Sequence, residues 1–166
     1  MLPRGYRFEL EGRTFVSLGG APSVDLADRS HGNDWWPEEM ITDDDVAGVV
    51  EGGYADVMLA HDAPLAPCEV DRVAYLRSHN EWGWPDRALA HARVGAERMH
   101  DAFLGVAPKL FVHGHYHVVG ETTVVLPGRG CGTRIWSLNC DGVDGNVRYL
   151  DLATIGDALI ASDPDA

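Results

Sequence analysis

The sequence lacks any stretch that approaches ~18 consecutive apolar residues, the length that a membrane-spanning helix requires. Its first residues, 1–5, also lack the charged-then-apolar pattern of a secretory signal peptide. It contains only 3 cysteines, and no two of them have CxxC spacing. These absences predict a soluble, cytoplasmic protein whose cysteines are small apolar residues rather than disulfide partners or zinc ligands.

Positive charge is also scarce. The 13 basic residues are outnumbered by 26 acidic ones, which gives a formal net charge of -13 and a pI near 4.8. Binding to nucleic acid or to an anionic membrane depends on a positive surface, so we expect neither as a general partner. The apolar fraction of 45% is that of an average globular protein, and a length of 166 residues predicts one domain over residues 1–166.

The first third of the chain predicts a β-hairpin, a long loop and a helix. Two strand-like runs, 7–10 and 13–18, flank a short glycine turn. The polar, tryptophan-bearing segment 19–41 has no periodicity and predicts a loop, and long loops in compact domains are often functional. Thr42 and Asp45 have the spacing of a capping box and predict a helix that begins there.

Two short apolar runs, 56–60 and 109–113, are typical of buried strands, and both lead into histidines. The first run is followed by His61, and the second by a Gly-His-x-His sequence that contains His115 and His117. Two imidazoles separated by one residue, beside a flexible glycine, can face one cation or two adjacent ones. Alternating histidines on an exposed strand would give the same pattern, so this spacing leaves both interpretations open.

The rest of the chain predicts further helix and sheet. Residues 64–84 have the composition of a loop, and a helical pattern then begins at Pro85 and ends near Gly105. Three later runs are expected to be strands, and the end of the chain to be a short acidic tail; these segments are 118–126, 133–138, 147–152 and 155–166.

A strand ending in His-Asp-x-Pro, then a helix, then a strand ending in Gly-His-x-His resembles the last two metal-binding motifs of the calcineurin-like metallophosphoesterases. The residues that carry this resemblance are Val57–Pro64 and Leu110–His117. The flanking segments Leu18–Glu39 and Ser137–Gly142 also look like those of actinobacterial and phage members of that family.

The resemblance implies that His61, His115 and His117 are ligands of a dinuclear metal site, with His61 and His115 sharing one ion. Two divalent cations in such a site bind the phosphate oxygens and activate water, which hydrolyses a phosphomonoester or phosphodiester. Imidazole ligands suit Mn, Fe, Ni and Zn alike. The expected partner is therefore a phosphate ester substrate.

Four other residues have expected roles around that site. Arg29 is expected to contact the substrate phosphate and Asp25 to orient it, with a solvated salt bridge in the loop as the alternative. Asp62 is expected to orient the turn after the strand at 56–60, and His113 to pack behind the metal ligands. The tryptophans at 35 and 36 can stack on a ring or serve as packing anchors.

The implied fold is an α/β sandwich, in which two sheets are flanked by helices in an α-β-β-α order. The family's earlier Asp-x-His, Gly-Asp-x-x-Asp and Gly-Asn-His motifs are absent from residues 1–166, so the bridging aspartate and the acid histidine have no counterpart. We therefore expect the chain to correspond to the C-terminal half, to lack an assignable catalytic residue, and to self-associate or bind a complementing N-terminal half. The alternative is a noncatalytic module that binds a partner or a single metal.

Overall fold

The computed structural model describes residues 2–126 and 132–156. Within those ranges the chain forms six strands and three α-helices, joined by loops that contain single turns of 3₁₀ helix at Leu26–Asp28, Pro37–Glu39 and Leu152–Thr154. In chain order these elements are β1 (Arg7–Leu10), β2 (Arg13–Leu18), α1 (Asp43–Glu51), β3 (Val57–Ala60), α2 (Asp71–His79), α3 (Asp86–Val106), β4 (Leu110–His113), β5 (Gly120–Val125) and β6 (Gly132–Ser137).

The six strands form one mixed sheet in the order β1-β2-β3-β4-β6-β5. The four central strands, β2, β3, β4 and β6, are parallel, and each edge strand pairs antiparallel with its neighbour. Val16, Met58, Phe111 and Ile135 stand opposite one another in this register and form one apolar row across the sheet. The parallel arrangement brings the carboxyl ends of all four central strands to one edge of the sheet.

The helices pack on one face of the sheet. Val49 of α1, Val73 of α2 and Phe103 of α3 are fully buried against that row of strand residues. The ring of Phe103 meets the ring of Phe111 edge to face, with centroids 5.1 Å apart. This layer of helix on sheet confirms the predicted α/β class.

The opposite face of the sheet has a thinner cover. Phe15, Val57, Leu110 and Trp136 form a second apolar cluster there, and within the described residues it is closed by Ile155 and its neighbours in segment 150–155. Phe8, Leu59 and Val112 lie at the margin of this cluster and are only partly buried. The described residues therefore contain one sheet, and the second sheet of the expected sandwich is not among them.

The capping box predicted for α1 is present. The Asp45 backbone amide donates to Thr42 Oγ1 at 3.1 Å, and the Thr42 amide donates to Asp45 Oδ2 at 2.8 Å. The hairpin of β1 and β2 and the two short strands that precede the histidines also lie where the sequence places them. Segment 19–41 is a loop, as predicted, apart from its two single helical turns.

Two predicted elements are wrong. Residues 64–84 were expected to be a loop, but they contain α2, a helix whose mainly polar sequence buries only Val73. Residues 147–152 were expected to be a strand, but the described residues give them no strand partner. Their apolar side chains, Leu150 and Leu152, pack instead on the thinly covered face of the sheet.

Some expectations lie outside the described residues. These are the fate of Cys131 and the structure of residues 157–166, most of the predicted acidic tail. Cys68 is buried and Cys140 partly exposed, and both thiols are free. Of the helices in the described ranges, none has the length and apolarity needed to cross a membrane.

Candidate functional site

The candidate site lies at the carboxyl edge of the parallel strands, where ligands bind in open α/β sheets. His61 follows β3 directly, and His115 and His117 lie in the loop that follows β4. The two loops are tied together by the Gly114 amide, which donates to the His61 carbonyl oxygen at 3.2 Å. Adjacent parallel strands therefore deliver all three histidines to one place.

The loop after β4 has an unusual backbone. His115 and His117 both adopt left-handed conformations, with φ of 66° and 54°. A left-handed residue other than glycine costs of the order of 1 kcal/mol, and such residues concentrate at functional sites. These two turns return the chain toward β3 and bring the His115 ring to the His61 ring, with centroids 5.3 Å apart and planes inclined by 59°.

The imidazoles of His61 and His115 are held in their neutral form. Desolvation by the surrounding protein lowers the pKa of His61, and it lowers the pKa of His115 to about 4. A second imidazolium would also be repelled by its neighbours, since the three rings lie close enough to influence one another's charge. The rings of His61 and His115 therefore each offer a free nitrogen lone pair at neutral pH, as metal coordination requires.

The spacing of His61 and His115 fits two ligands of one ion. An imidazole nitrogen about 2.1 Å from Zn²⁺ places the centre of its ring roughly 3.2 Å from the ion. Two such rings at a tetrahedral angle have centres roughly 5.2 Å apart, and the observed separation is 5.3 Å. The separation of the two ring centres is thus that expected of two ligands of one ion.

A complete metal centre is not formed by the described part of the chain. No group of three or more histidine, cysteine, aspartate or glutamate side chains within residues 2–126 and 132–156 is close enough to hold an ion. In particular, no carboxylate joins His61 and His115 in that arrangement. Two imidazoles fit a shared cation, whereas a two-metal centre does not fit the donors present.

Asp62 is buried beside the histidines and accepts three hydrogen bonds. Its Oδ1 accepts from the Ala63 amide at 2.7 Å, the Tyr116 hydroxyl at 3.0 Å and Arg77 Nη2 at 3.3 Å. Burial raises the pKa of Tyr116, and the Asp62 carboxylate raises it further, so the phenol stays protonated and donates. Asp62 therefore links the loop after β3 to the loop after β4.

Arg77 of α2 completes this link. Its guanidinium group, mostly buried, lies over the Tyr116 ring at 4.9 Å from the centroid. All five of its N–H bonds have acceptors: the Tyr116 hydroxyl at 2.9 Å, the Pro64 carbonyl at 2.6 Å, the Glu69 carboxylate at 2.6 Å, the Ala63 carbonyl at 2.9 Å and the Asp62 carboxylate at 3.3 Å. Sequence reasoning missed Arg77, because it lies in the segment taken for a loop and belongs to no motif.

His113 is buried behind the site. Its ring lies between Phe111 and Tyr116, and its Nδ1 is 3.1 Å from the Gly114 carbonyl oxygen. Its Nε2 is buried without a hydrogen-bond partner, and desolvation lowers its pKa to about 4. The structure thus places His113 in the packed layer beneath the histidine loop.

Asp25 and Arg29 form a bidentate ion pair. Arg29 Nε donates to Asp25 Oδ1 at 2.7 Å and Arg29 Nη2 to Asp25 Oδ2 at 2.9 Å, while Nη1 donates to the Asp34 carbonyl oxygen at 3.0 Å. The hydrogen bonds from Arg29 lower the pKa of Asp25. The loop salt bridge that the sequence left as an alternative is therefore present, and it lies on the wall of the cavity next to the histidines.

Two cavities meet at the histidines. The larger, of about 1380 Å³, runs from His61, His115 and His117 past the Asp25–Arg29 pair to three tryptophans, Trp36, Trp82 and Trp84. The smaller, of about 380 Å³, is lined by the same three histidines and by Leu59 and Val112 of the thinly covered sheet face. The histidines therefore lie between the larger cavity, which the tryptophans line, and the thinly covered face of the sheet.

No protein-family model matches the chain, and a search of curated proteins found no match.

Proposed function

We propose that the chain is the histidine-bearing part of a metal-dependent phosphoesterase of the metallophosphoesterase type. The observation that carries this proposal is the meeting of His61 and His115 at a separation that suits two ligands of one cation. The motifs lie on adjacent parallel strands, and the neutral imidazoles suit a divalent transition metal.

In this proposal His61 and His115 hold one divalent cation. His117 would contribute to a second ion only when another polypeptide supplies the missing carboxylates. Such ions, when bound, supply the charge that polarises a phosphate ester and activates water. The chain's own groups position these ligands: the Asp62 carboxylate and the Arg77 guanidinium fix the two loops through Tyr116. Arg29, which lines the cavity paired with Asp25, is the residue proposed to contact the substrate phosphate.

The proposed enzyme needs carboxylate ligands that the described residues do not supply. In this proposal they would enter at the smaller cavity, because it joins the histidines to Leu59 and Val112 on the thinly covered face. A second protein layer on that face would end beside the histidines and complete the α-β-β-α sandwich. The occupant that fits this proposal is a complementing N-terminal half, with self-association of the chain as the other arrangement.

Metal binding tests the proposal most simply. Isothermal titration of the chain with Mn²⁺ or Zn²⁺ should show binding that His115→Ala weakens by more than about tenfold, because a ligand is removed. His79→Ala is the matched control, since His79 is exposed on α2 and stacks on Tyr75. Absence of binding to the unmodified chain, or equal binding by both variants, would contradict the proposal.

One observation favours a second candidate, a noncatalytic module that binds a single metal or a protein partner: the described residues contain no complete ligand group. Turnover of bis-p-nitrophenyl phosphate with Mn²⁺ separates the two. The enzyme proposal expects His115-dependent turnover when a polypeptide carrying the missing carboxylates covers the thin face. Binding of one ion with no turnover in that complex would favour the module.

A further inference from the structure

The loop between α2 and α3 is a turn that is held by its own hydrogen bonds and carries Trp82. Asn80 is left-handed, with φ of 40°, and Gly83 adopts φ of 66°. The Asn80 side chain makes two hydrogen bonds with the Trp84 backbone. Its Nδ2 donates to the Trp84 carbonyl oxygen at 3.0 Å, and the Trp84 amide donates to its Oδ1 at 2.8 Å. The Gly83 amide also donates to the Asn80 carbonyl at 3.0 Å. The turn is therefore fixed by its own hydrogen bonds.

This turn exposes the Trp82 indole to solvent rather than burying it. Trp82 is 65% exposed and Trp36, from the loop after β2, is 45% exposed. Both line the large cavity, as does the partly buried Trp84, so three of the chain's 5 tryptophans face one space. Tryptophan is strongly buried on average, and exposed indoles that converge on a cleft are typical of ligand contacts.

The two other tryptophans have ordinary structural contacts. Trp35 lies beside Trp36 in sequence, but its ring contacts His31 edge to face at 5.7 Å, and it is not part of the cavity wall. Trp136 is 5% exposed and packs in the second apolar cluster. The exposure of Trp36 and Trp82 is therefore a local feature of the cavity.

The arrangement of the indoles suits a flat ligand. Within the described residues, Trp36, Trp82 and Trp84 make no ring contact with one another or with another aromatic side chain. A quaternary ammonium group, another ligand of aromatic side chains, is bound by several rings gathered around one point. Separate indole faces, by contrast, each accept a planar ring by stacking.

We propose that the cavity binds a phosphate ester whose organic group carries a planar aromatic ring, the chemistry of a nucleotide, with that ring stacked on Trp82. Placing the phosphate at the histidines rests on the proposed function. The volume of about 1380 Å³ exceeds what a phosphate alone requires and accommodates a nucleoside. Because the chain carries a net charge of -13, an anionic ester gains little from the overall field and depends on such local contacts.

Calorimetry with the metal-free chain tests this proposal without catalysis. Adenosine 5′-monophosphate should bind at least about tenfold more tightly than glycerol 3-phosphate, because only the nucleotide can stack. Trp82→Ala should remove that difference, and Trp82→Phe should retain part of it. Trp35→Ala, which removes a neighbouring indole outside the cavity, should leave the preference unchanged. Thermal melts of each variant verify the fold, since Trp82 is exposed and contributes little to the core.

Equal affinities for the two phosphates in the unmodified chain would overturn the proposal, as would an unchanged preference in Trp82→Ala. Tighter binding of phosphocholine than of the nucleotide would also overturn it, in favour of a cation site. Failure of the proposed function gives a different result: the unmodified chain then binds no metal, whether or not it binds the nucleotide. The two results can therefore be told apart.

Discussion

At the scale of single residues, Arg77 is the group that contacts both loops that carry the histidines. A guanidinium group with all five N–H bonds satisfied joins α2 to both histidine loops. Its contacts with Asp62 and Glu69 also neutralise two carboxylates that are nearly inaccessible to solvent. The loops that carry the histidines are thus anchored in part by Arg77 and Glu69, which belong to no recognisable sequence motif.

Replacing Arg77 by Met should lower the free energy of unfolding by about 3–5 kcal/mol, because Asp62 and Glu69 would be left buried without a cation. Urea unfolding measures this change. The imidazole NMR resonances of His61 and His115 should shift as well, since the two loops lose their common anchor. Arg77→Lys should be less damaging, because it keeps the charge but not the forked geometry.

The control is Arg72→Met on the same helix. Arg72 is 52% exposed in its side chain and its nearest carboxylate atom, Glu81 Oε2, is 3.8 Å away. Removing such a surface pair should cost less than about 1 kcal/mol and leave the histidine resonances in place. Equal effects of the two substitutions would show that Arg77 has no special role in the site.

At the scale of elements, the sequence predicts those that carry strong local signals and misses those that depend on distant contacts. The α1 helix is signalled by its capping box and the β1–β2 hairpin by alternating residues around Gly12. The α2 helix gives little signal, because Val73 is its one buried residue. Segment 147–152 has apolar residues with strand-like spacing, but which partner they meet is decided by the sheet face beneath them.

The α1 cap gives a prediction about pH. Although partial burial raises the pKa of Asp45, hydrogen bonds from Thr42 and the charge of Arg4 outweigh it and hold that pKa below its ordinary value of 3.8. A lowered pKa in the folded state adds stability above the ordinary value, which is lost as the pH falls through the lowered one. Asp45→Asn should therefore destabilise the chain by about 1 kcal/mol at neutral pH.

Urea unfolding at a series of pH values measures this effect. The difference between the unmodified chain and Asp45→Asn should be constant at neutral pH and shrink as the pH falls below 3.8. Asp44→Asn removes a charge from the same exposed helical turn without touching the capping box, and should have a smaller effect. A difference that persists at low pH would contradict the role given to the Asp45 carboxylate.

At the scale of the whole molecule, the sheet has one face closed by helices and one that, among the residues described, is closed mainly by segment 150–155. The sequence motifs identify the histidines but not their spacing, which is set by strand register and by the hydrogen bond between Gly114 and His61. Nor does the sequence show that the histidines border the thin face. A second protein layer packed on that face would therefore lie next to the histidines, where the proposal needs it to complete the site.

The central claim is that His61 and His115 share one cation. Anomalous diffraction from crystals of the chain grown with Zn²⁺ or Mn²⁺ tests it most directly. We expect an anomalous peak between the two rings, about 2.0–2.2 Å from one nitrogen of each. A well-occupied peak elsewhere, or density showing the two rings turned apart with no metal between them, would contradict it.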